Sequence, residues 1–563
     1  MGLLAMPGGD LAALAQTESS QEQAAPADAA AAPAAQTDPR ALPLAPESKG
    51  SRPRVKSSVV APAATELPAN LTDLPAPDSL ALPNRPEQVV IQELRPLTLA
   101  EVETLAEVNN PNLKAIASQV DQAQSNLRAQ IALWYPSIEL QADALPAYNY
   151  GETYTRFKAN PAEGSGRNQR SNSDRWSAAA AIAAQWSLIN PQRNPSIAAA
   201  RDRFERAKYG YVVSLRELRL QAAEAYFDLQ QADDQVRIGQ ESVRASLVSL
   251  RDSRARFQAG VATKLEVLEA ETQLARDQQL LTEALARQAI NRRALASLLD
   301  LPQTVTPTAQ DPSRVLGVWQ PSLQESIVAA YAFREELDQV LLDISIANSN
   351  ANVALGEVQP FLNIFARFDA SWFDGSQPVV TNSNVDAGGN YDLNVGLSFS
   401  WRLFDGGAAA AQARQSRQAA QESSFRFAQQ RDAIRVEVEE SFYELEKNNR
   451  NITTTAREVI SARESLRLAR LRFQAGVTTQ REVVDNQRDL TQAEVRYANA
   501  IADYNKRLAQ LRRRTGLDRI ALCPAKSLPA MKPVGASDVP VEPARLLPAC
   551  QADHPPADAL GRS

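Results

Sequence analysis

Apolar residues recur every seven positions through two long stretches of this chain. The repeat comprises Leu229, Val236, Val243, Leu250 and Phe257, and 216 positions later Leu445, Ile452, Val459, Leu466 and Phe473. A seven-residue period sustained over this length predicts helices that pack against one another as coiled coils. Because no proline interrupts residues 196–257, the first helix is expected to be about 90 Å long at a rise of about 1.5 Å per residue.

Each long helix ends in nearly the same line of sequence, RFQAGVATKLEVLEA at 256–270 and RFQAGVTTQREVVDN at 472–486. Both copies have a glycine suited to the left-handed position that ends a helix. A threonine suited to the N-cap of the next helix follows, and a glutamate three residues later completes a capping box. These residues are Gly260, Thr263 and Glu266 in the first copy and Gly476, Thr479 and Glu482 in the second. The sequence therefore predicts two tight helix-to-helix reversals.

Four other segments alternate between apolar and polar residues with a period of two. The expected strands span about 137–148, 175–188, 361–373 and 391–404, and the polar stretches 149–174 and 374–390 are expected to be exposed loops. A half-buried soluble sheet alternates in the same way. Five of the six tryptophans nevertheless lie in or beside these segments, as an interfacial aromatic girdle requires, namely Trp134, Trp176, Trp186, Trp372 and Trp401. The pattern favours strands that cross a membrane.

Four strands do not close a barrel, and open sheet edges are not tolerated in lipid. Several copies of the chain must therefore share one barrel, and a lumen wide enough to conduct solutes favours three copies, which together supply about twelve strands. The expected fold class is mainly α with membrane β. Duplicated long α-helical hairpins form a coiled-coil barrel, and four transmembrane strands per chain contribute to a trimeric twelve-stranded β-barrel.

The chain divides into two repeats with irregular flanks. The repeats are expected at 97–300 and 321–517, joined by a connector at 301–320. Residues 1–95 are interpreted as a signal remnant followed by a disordered arm rich in Pro and Ala, and residues 518–563 as a disordered tail. Whether Met1 is the native start stays open.

Composition excludes several classes of function. The 60 basic and 66 acidic residues are interspersed, so no basic patch indicates nucleic acid. One histidine and two cysteines provide neither a metal cluster nor a histidine-dependent catalytic group, so we expect no enzyme activity and no cofactor. Cys523 and Cys550 are instead candidates for a disulfide in an oxidising compartment. No apolar run approaches the about 20 residues of a transmembrane helix.

The chain resembles the TolC-like outer-membrane efflux protein family over about 97–517. The resemblance includes the opening LTLAEVETLAEVNNPNL, the WRLFDGG that closes the last strand and the two RFQAG reversals. It implies a homotrimer whose barrel spans the lipid of the outer membrane of a Gram-negative-type bacterium and continues as a large periplasmic tunnel. It also implies a periplasmic adaptor, an inner-membrane transporter, and passive export in a tripartite efflux or type I secretion system.

The resemblance further implies that the reversals form the periplasmic entrance, which acidic side chains narrow and polar links hold shut. The matching acids here are Glu266, Glu269, Glu482 and Asp485. Glu266 and Glu482 are equally explained as capping-box partners, whereas Glu269 and Asp485 lie one turn beyond the cap. Arg256 and Arg472 are either ordinary last-turn cations or links to a neighbouring helix that help to hold the entrance closed.

Two other functions use long helical hairpins. A periplasmic coiled-coil adaptor has one hairpin flanked by other domains, whereas this chain has two hairpins and strands suited to lipid. A soluble coiled-coil scaffold is the third interpretation. The sequence does not identify the exported substrate or the pump.

Overall fold

The computed structural model describes residues 63–156, 168–378, 384–517 and 520–522. The first repeat comprises β1 (Glu93–Leu97), α1 (Leu99–Asn109), α2 (Pro111–Ile131), β2 (Ser137–Arg156), β3 (Asn168–Ile189), α3 (Arg193–Gln258), α4 (Lys264–Leu298) and β4 (Val305–Ala309). The second comprises β5 (Gly317–Trp319), α5 (Leu323–Phe333), α6 (Glu335–Gly356), β6 (Phe361–Pro378), β7 (Asn384–Ser400), α7 (Ala408–Gln474), α8 (Gln480–Thr515) and β8 (Ile520–Leu522). The two halves thus repeat one order of elements.

The predicted long helices are confirmed. Helix α3 has 66 residues and α7 has 67, and each folds back on the helix that follows it. Near the reversals the helices lie side by side in the order α4, α3, α8, α7, and nearer the sheet in the order α2, α3, α6, α7. Helix α7 therefore forms one edge of the helical layer, and α2 and α4 form the other. Among the described residues, no helix combines the length and the apolar character needed to cross a membrane.

The four long strands form one antiparallel sheet in the order β2, β3, β6, β7. One face is apolar and unusually exposed for a single chain, with Leu140 71% and Leu397 65% exposed. Glu139 and Asn394 lie at positions of the opposite face, because side chains alternate along a strand. Within the described chain, β2 and β7 each pair on one side only. The sheet therefore has an apolar face and two open edges.

The strands extend beyond their predicted bounds. Most of the expected loop 149–174 is strand, because β2 continues to Arg156 and β3 begins at Asn168, and most of 374–390 is strand for the same reason. Backbone pairing continues through these segments although their side chains are mostly polar. Because apolar and polar residues do not alternate there, the sequence pattern does not predict the strands. At its other end β7 stops at Ser400, which pairs with Phe361 at the start of β6. The expected strand residues 401–404 therefore lie outside the sheet.

The expectation of a disordered arm is wrong for the part of the arm that is described. Leu71 and Leu74 are each 1% exposed and pack in the core with Leu105 and Phe227. The turn that carries them is closed by the Leu74 N–H, which donates to the Leu71 carbonyl at 3.0 Å. Two leucines in a background of Pro and Ala give no periodicity, so sequence patterns did not find this anchor. Residues 1–62 lie outside the described residues.

The connector and the tail each contribute a short strand. Strand β4, within the predicted connector 301–320, pairs in parallel with β1, and β5 pairs antiparallel with β8. The segment predicted as a disordered tail thus includes a paired strand at Ile520–Leu522. Cys523 and Cys550 lie outside the described residues, so their disulfide stays a prediction.

Candidate functional site: the paired helix reversals

Both reversals have the predicted backbone. Gly260 and Gly476 each have φ of 72°. The N–H of Val261 donates to the Arg256 carbonyl at 3.0 Å, and the N–H of Val477 to the Arg472 carbonyl at 2.9 Å, which closes the helix end in the Schellman manner. A Cβ added at either glycine would meet no described atom within 4 Å. Glycine is therefore required by the backbone conformation rather than by lack of space.

The helices that follow begin differently in the two copies. In the first, the N–H of Glu266 donates to the Thr263 hydroxyl and the Glu266 carboxylate accepts the N–H of Thr263, each at 3.4 Å. This capping box is confirmed. Among the described contacts of the second copy, Thr479 makes no side-chain bond to the first turn of α8. The predicted second capping box is wrong.

The second carboxylate is engaged by an arginine instead. Glu482 accepts a hydrogen bond from the Arg472 guanidinium at 2.8 Å and another from the hydroxyl of Thr478. The counterpart of Arg472 in the first copy, Arg256, lies over the ring of Phe473 at 4.2 Å from its centroid. Arg256 thus links the two hairpins by a cation–π contact, whereas Arg472 bonds within its own reversal.

Two further contacts join the hairpins at their tips. Arg481 forms an ion pair with Glu269 at 3.1 Å, and Gln480, only 2% exposed, donates a hydrogen bond to the Ser249 hydroxyl. Sequence patterns did not single out Arg481 or Gln480. The available signal was a difference between the copies, because the first repeat has Leu265 and Lys264 at the matching positions.

The four candidate acids do not form one uniform cluster. Glu269 pairs with Arg481, Glu482 with Arg472, and Asp485 with Arg488 at 3.4 Å, while Glu266 caps α4. Three of the four carboxylates therefore have a cation close by within the same chain. Asp485 keeps a side chain that is 47% exposed, which leaves it the most accessible of the three paired acids.

The cores of the two hairpins also differ near the reversals. In the first, Asp277 is 4% exposed and its carboxylate accepts hydrogen bonds from Gln273 at 3.1 Å and from the hydroxyl of Ser246. In the second, the core at this level is apolar and comprises Leu466, Ala469, Val483 and Leu490. The position that matches Asp277 is Ala493, which is fully buried. The first hairpin therefore buries a hydrogen-bonded carboxylate beside its own apolar cluster of Val236, Val243, Leu281 and Ala284, at a position where the second hairpin has alanine.

A buried ion-pair network lies where α3, α8 and the α5–α6 junction meet. Arg216 pairs with Glu335 at 2.6 Å, and Glu336 accepts from Arg334 at 3.0 Å and from Arg513 at 2.9 Å. The matching junction of the first repeat reads NNPNL where the second reads FREEL, and this difference is a sequence signal for the network.

Burial raises the pKa of Glu336, but the bonds and charges of Arg334 and Arg513 outweigh it and set the pKa at about 2. Because this pKa is lower than the unfolded-state pKa of a glutamate, about 4.3, the ionised carboxylate stabilises the fold at pH values above about 4.3. The stabilisation is lost as the pH falls towards 2.

Comparison with known proteins gives consistent matches. The family model described as "Outer membrane efflux protein" matches residues 104–300 and 327–517, that is, most of each repeat. The chain is 23% identical over 430 residues to the outer membrane protein TolC of Vibrio cholerae serotype O1, covering 74% of this chain and 90% of that protein. It is 26% identical over 411 residues to the pyoverdine export outer membrane protein OpmQ of Pseudomonas putida, covering 70% and 81%.

A solved structure shares the fold. The CmeC outer membrane channel of Campylobacter jejuni superposes with a TM-score of 0.57 at 16% identity, covering 74% of this chain and 85% of that one.

Proposed function

This chain belongs to the outer membrane efflux protein family, and on that premise we propose that three copies form the exit channel of a tripartite efflux or type I secretion system. The channel lies in the outer membrane, has a large periplasmic portion, and passively conducts substrates to the exterior. The observation that carries this proposal is the match of both repeats to one channel family. The alternatives of a periplasmic adaptor or a coiled-coil scaffold find no support in these matches.

The edges of the chain support a closed ring of identical copies. The sheet has open edges at β2 and β7, and unpaired edges are not tolerated in lipid. The helical layer ends in α7 on one side and in α2 and α4 on the other. Exposed apolar side chains line both helical edges, namely Phe425, Val436, Tyr443 and Ile460 on α7 and Leu265, Leu268 and Ile290 on α4.

Joining β7 and α7 of one copy to β2, α2 and α4 of the next would bury both edges by one head-to-tail contact. Such a contact closes a ring when the rotation that relates neighbouring copies equals a full turn divided by the number of copies. Three copies give about twelve strands, the size that suits a solute-conducting lumen.

The reversals form the periplasmic entrance of this channel. Within each chain, the second hairpin is held against the first by Arg481 with Glu269, by Arg256 with Phe473, and by Gln480 with Ser249. Releasing these contacts frees α7 and α8 to move away and widens the entrance. Glu266, Glu269, Glu482 and Asp485 supply its acidic side chains, and Asp485 is the one with the most exposed carboxylate among the three that pair with arginine.

The partner proteins are expected to bind at the end of the channel where the reversals lie. We assign a periplasmic adaptor protein and an inner-membrane transporter as the partners, with no role for nucleic acid. Each reversal presents an exposed valine, Val261 at 66% and Val477 at 69%, which suits an apolar contact with the adaptor.

Fractionation of the native protein, followed by recording in a planar bilayer, tests the proposal. We expect the protein in the outer membrane as a heat-labile trimer, and the purified trimer to form discrete ion-conducting channels. A protein recovered from the soluble periplasmic fraction, or a purified membrane protein with no conductance, would contradict it. Two neighbouring substitutions provide a further test and its control. Leu397→Arg on the apolar face should prevent insertion into the membrane, whereas Ser398→Arg on the opposite face, the control, should not.

A further inference from the structure

Residues 63–94, here called the strap, are fixed to the outside of α1 by their first part. Leu71 and Leu74 are buried in the core of the first repeat. The N–H of Ala64 donates to Glu107 at 2.7 Å, and the side-chain amide of Asn109 donates to the Leu74 carbonyl at 3.0 Å. The strap is therefore held by α1 at this end.

The second part of the strap carries apolar side chains on the surface. They are Leu80, Leu82, Val89, Val90, Ile91 and Leu94, with exposures of 95% and 87% for the two leucines at 80 and 82. The segment is tied down again where the N–H of Gln92 donates to the Thr304 carbonyl at 2.9 Å. A segment that exposes several apolar side chains and is fixed at both ends indicates a contact surface rather than a free arm.

The second repeat has a matching surface without a strap. Phe227 of α3 is 1% exposed and packs in the same core cluster as Leu71 and Leu74. Its counterpart 216 positions later is Tyr443 of α7, which is 57% exposed, and Val436 two turns away is 64% exposed. Only residues 310–316 separate β4 from β5, which is too short for a second strap.

The positions of the two surfaces favour a contact between copies. The strap lies on α1, and the α1–α2 junction contacts the end of α4 through Asn110, whose side chain donates to the Leu298 carbonyl at 2.9 Å. The strap thus belongs to the edge of the chain that α2 and α4 form. Helix α7 forms the opposite edge, so in a closed ring it faces the strap of the next copy.

We propose that residues 78–94 of the strap cover Val436 and Tyr443 on α7 of a neighbouring copy, so that the strap links adjacent chains of the ring. The proposal rests on the homotrimer of the proposed function. One opposite-charge pair is available across this contact, because Arg85 lies in the exposed part of the strap, and the Glu440 side chain, one helical turn from both Val436 and Tyr443, is 61% exposed while contacting Arg514.

Cysteine cross-linking between differently tagged chains tests the proposal. In chains carrying Cys523→Ser and Cys550→Ser, Leu82→Cys is placed in one chain and Tyr443→Cys in the other, and the two are co-expressed and treated with a short bismaleimide. We expect a covalent adduct that contains both tags. The matched control replaces Tyr443→Cys by Phe425→Cys on the same helix, which is 67% exposed but about 27 Å away along α7. This pair should give no adduct.

The possible results distinguish a failure of the strap contact from a failure of the trimer. If light scattering shows an intact trimer but Leu82→Cys gives no adduct, reacts only within its own chain, or attaches to a different protein, the strap contact is wrong and the channel proposal stands. If the chains do not form a trimer, the proposed ring itself fails. An adduct with Phe425→Cys equal to that with Tyr443→Cys would also overturn the specific contact.

Discussion

The two helix reversals share one backbone and differ in the partners of their side chains. Gly260 and Gly476 have the same φ and the same closing hydrogen bonds. Glu266 nevertheless caps its helix, while Glu482 binds Arg472. The difference teaches that the repeated motif determines the turn, whereas the neighbouring hairpin determines what the carboxylate binds. Because Arg256 lies over Phe473, the two arginines of the motif are not equivalent.

The hairpin cores extend this comparison. Each hairpin has an apolar cluster, with Val243 and Leu281 in the first and Leu466 and Leu490 in the second, and the first also buries the hydrogen-bonded carboxylate of Asp277. An apolar cluster needs no polar partner from outside the hairpin. The second hairpin is therefore able to keep its internal packing when its polar contacts with the first are released, as the proposed opening requires.

The largest expected effect comes from exchanging the core residues. Ala493→Asp places a carboxylate at a fully buried position of the second hairpin without the partners that Asp277 has, and an uncompensated buried charge costs about 3–5 kcal/mol. Asp277→Ala leaves Ser246 and Gln273 without their acceptor and costs about 1–3 kcal/mol. Thermal unfolding of the two variants measures the difference. Equal losses would mean that the cores are interchangeable.

The next largest loss of stability is expected from replacing the glycines of the reversals, and it should be the same in both copies. Gly260→Val and Gly476→Val force a β-branched residue into the left-handed region, which costs about 1–3 kcal/mol each. Asn tolerates this conformation, so Gly260→Asn and Gly476→Asn serve as controls with smaller losses. Unfolding in denaturant measures all four. A tolerated valine at one reversal only would show that the backbones are not equivalent in solution.

Smaller effects should distinguish the two glutamates. Glu266→Gln keeps a side chain able to complete the capping box, so stability should be nearly unchanged. Glu482→Gln weakens a contact with Arg472 that is partly exposed, at a cost of up to about 1 kcal/mol. The midpoints of thermal unfolding test this order. A larger loss for Glu266→Gln than for Glu482→Gln would reverse the assignment.

The smallest effect on stability is expected at Asp485, whose role we place in ion passage. Asp485→Asn should leave the proposed trimer intact and lower the preference of single channels for cations, because in that trimer the carboxylate would recur in each copy around one axis. Glu422→Gln, which removes an exposed carboxylate near the other end of α7, is the control and should not change the reversal potential. Unaltered selectivity in both variants would remove Asp485 from the entrance.

Much of the fold was predictable because its signals are local. The heptads and the glycines at the reversals depend on residues a few positions apart, and they predicted α3, α4, α7 and α8 closely. The ends of the strands were not predictable in this way, since polar side chains do not interrupt backbone pairing. The anchor formed by Leu71 and Leu74 depends on a distant core, so its two leucines had no pattern of their own.

The candidate site was predicted only in part. The acids and the turn residues were identified from the repeat itself. The partners of those acids depend on which hairpin packs alongside, and Arg481 and Gln480 therefore became visible only in the folded chain. Comparison of the two copies position by position would have marked both residues, because Leu265 and Lys264 stand in their places.

Single-channel recording of Arg481→Leu most directly tests the claim that unequal contacts between the hairpins hold the entrance closed. The substitution restores the residue of the first copy and removes the ion pair with Glu269. Lys506→Leu is the control, because it removes an ion pair with Asp228 that also joins the hairpins but lies away from the reversals. We predict higher conductance for Arg481→Leu and unchanged conductance for the control. Unchanged conductance of an intact Arg481→Leu trimer would contradict the account.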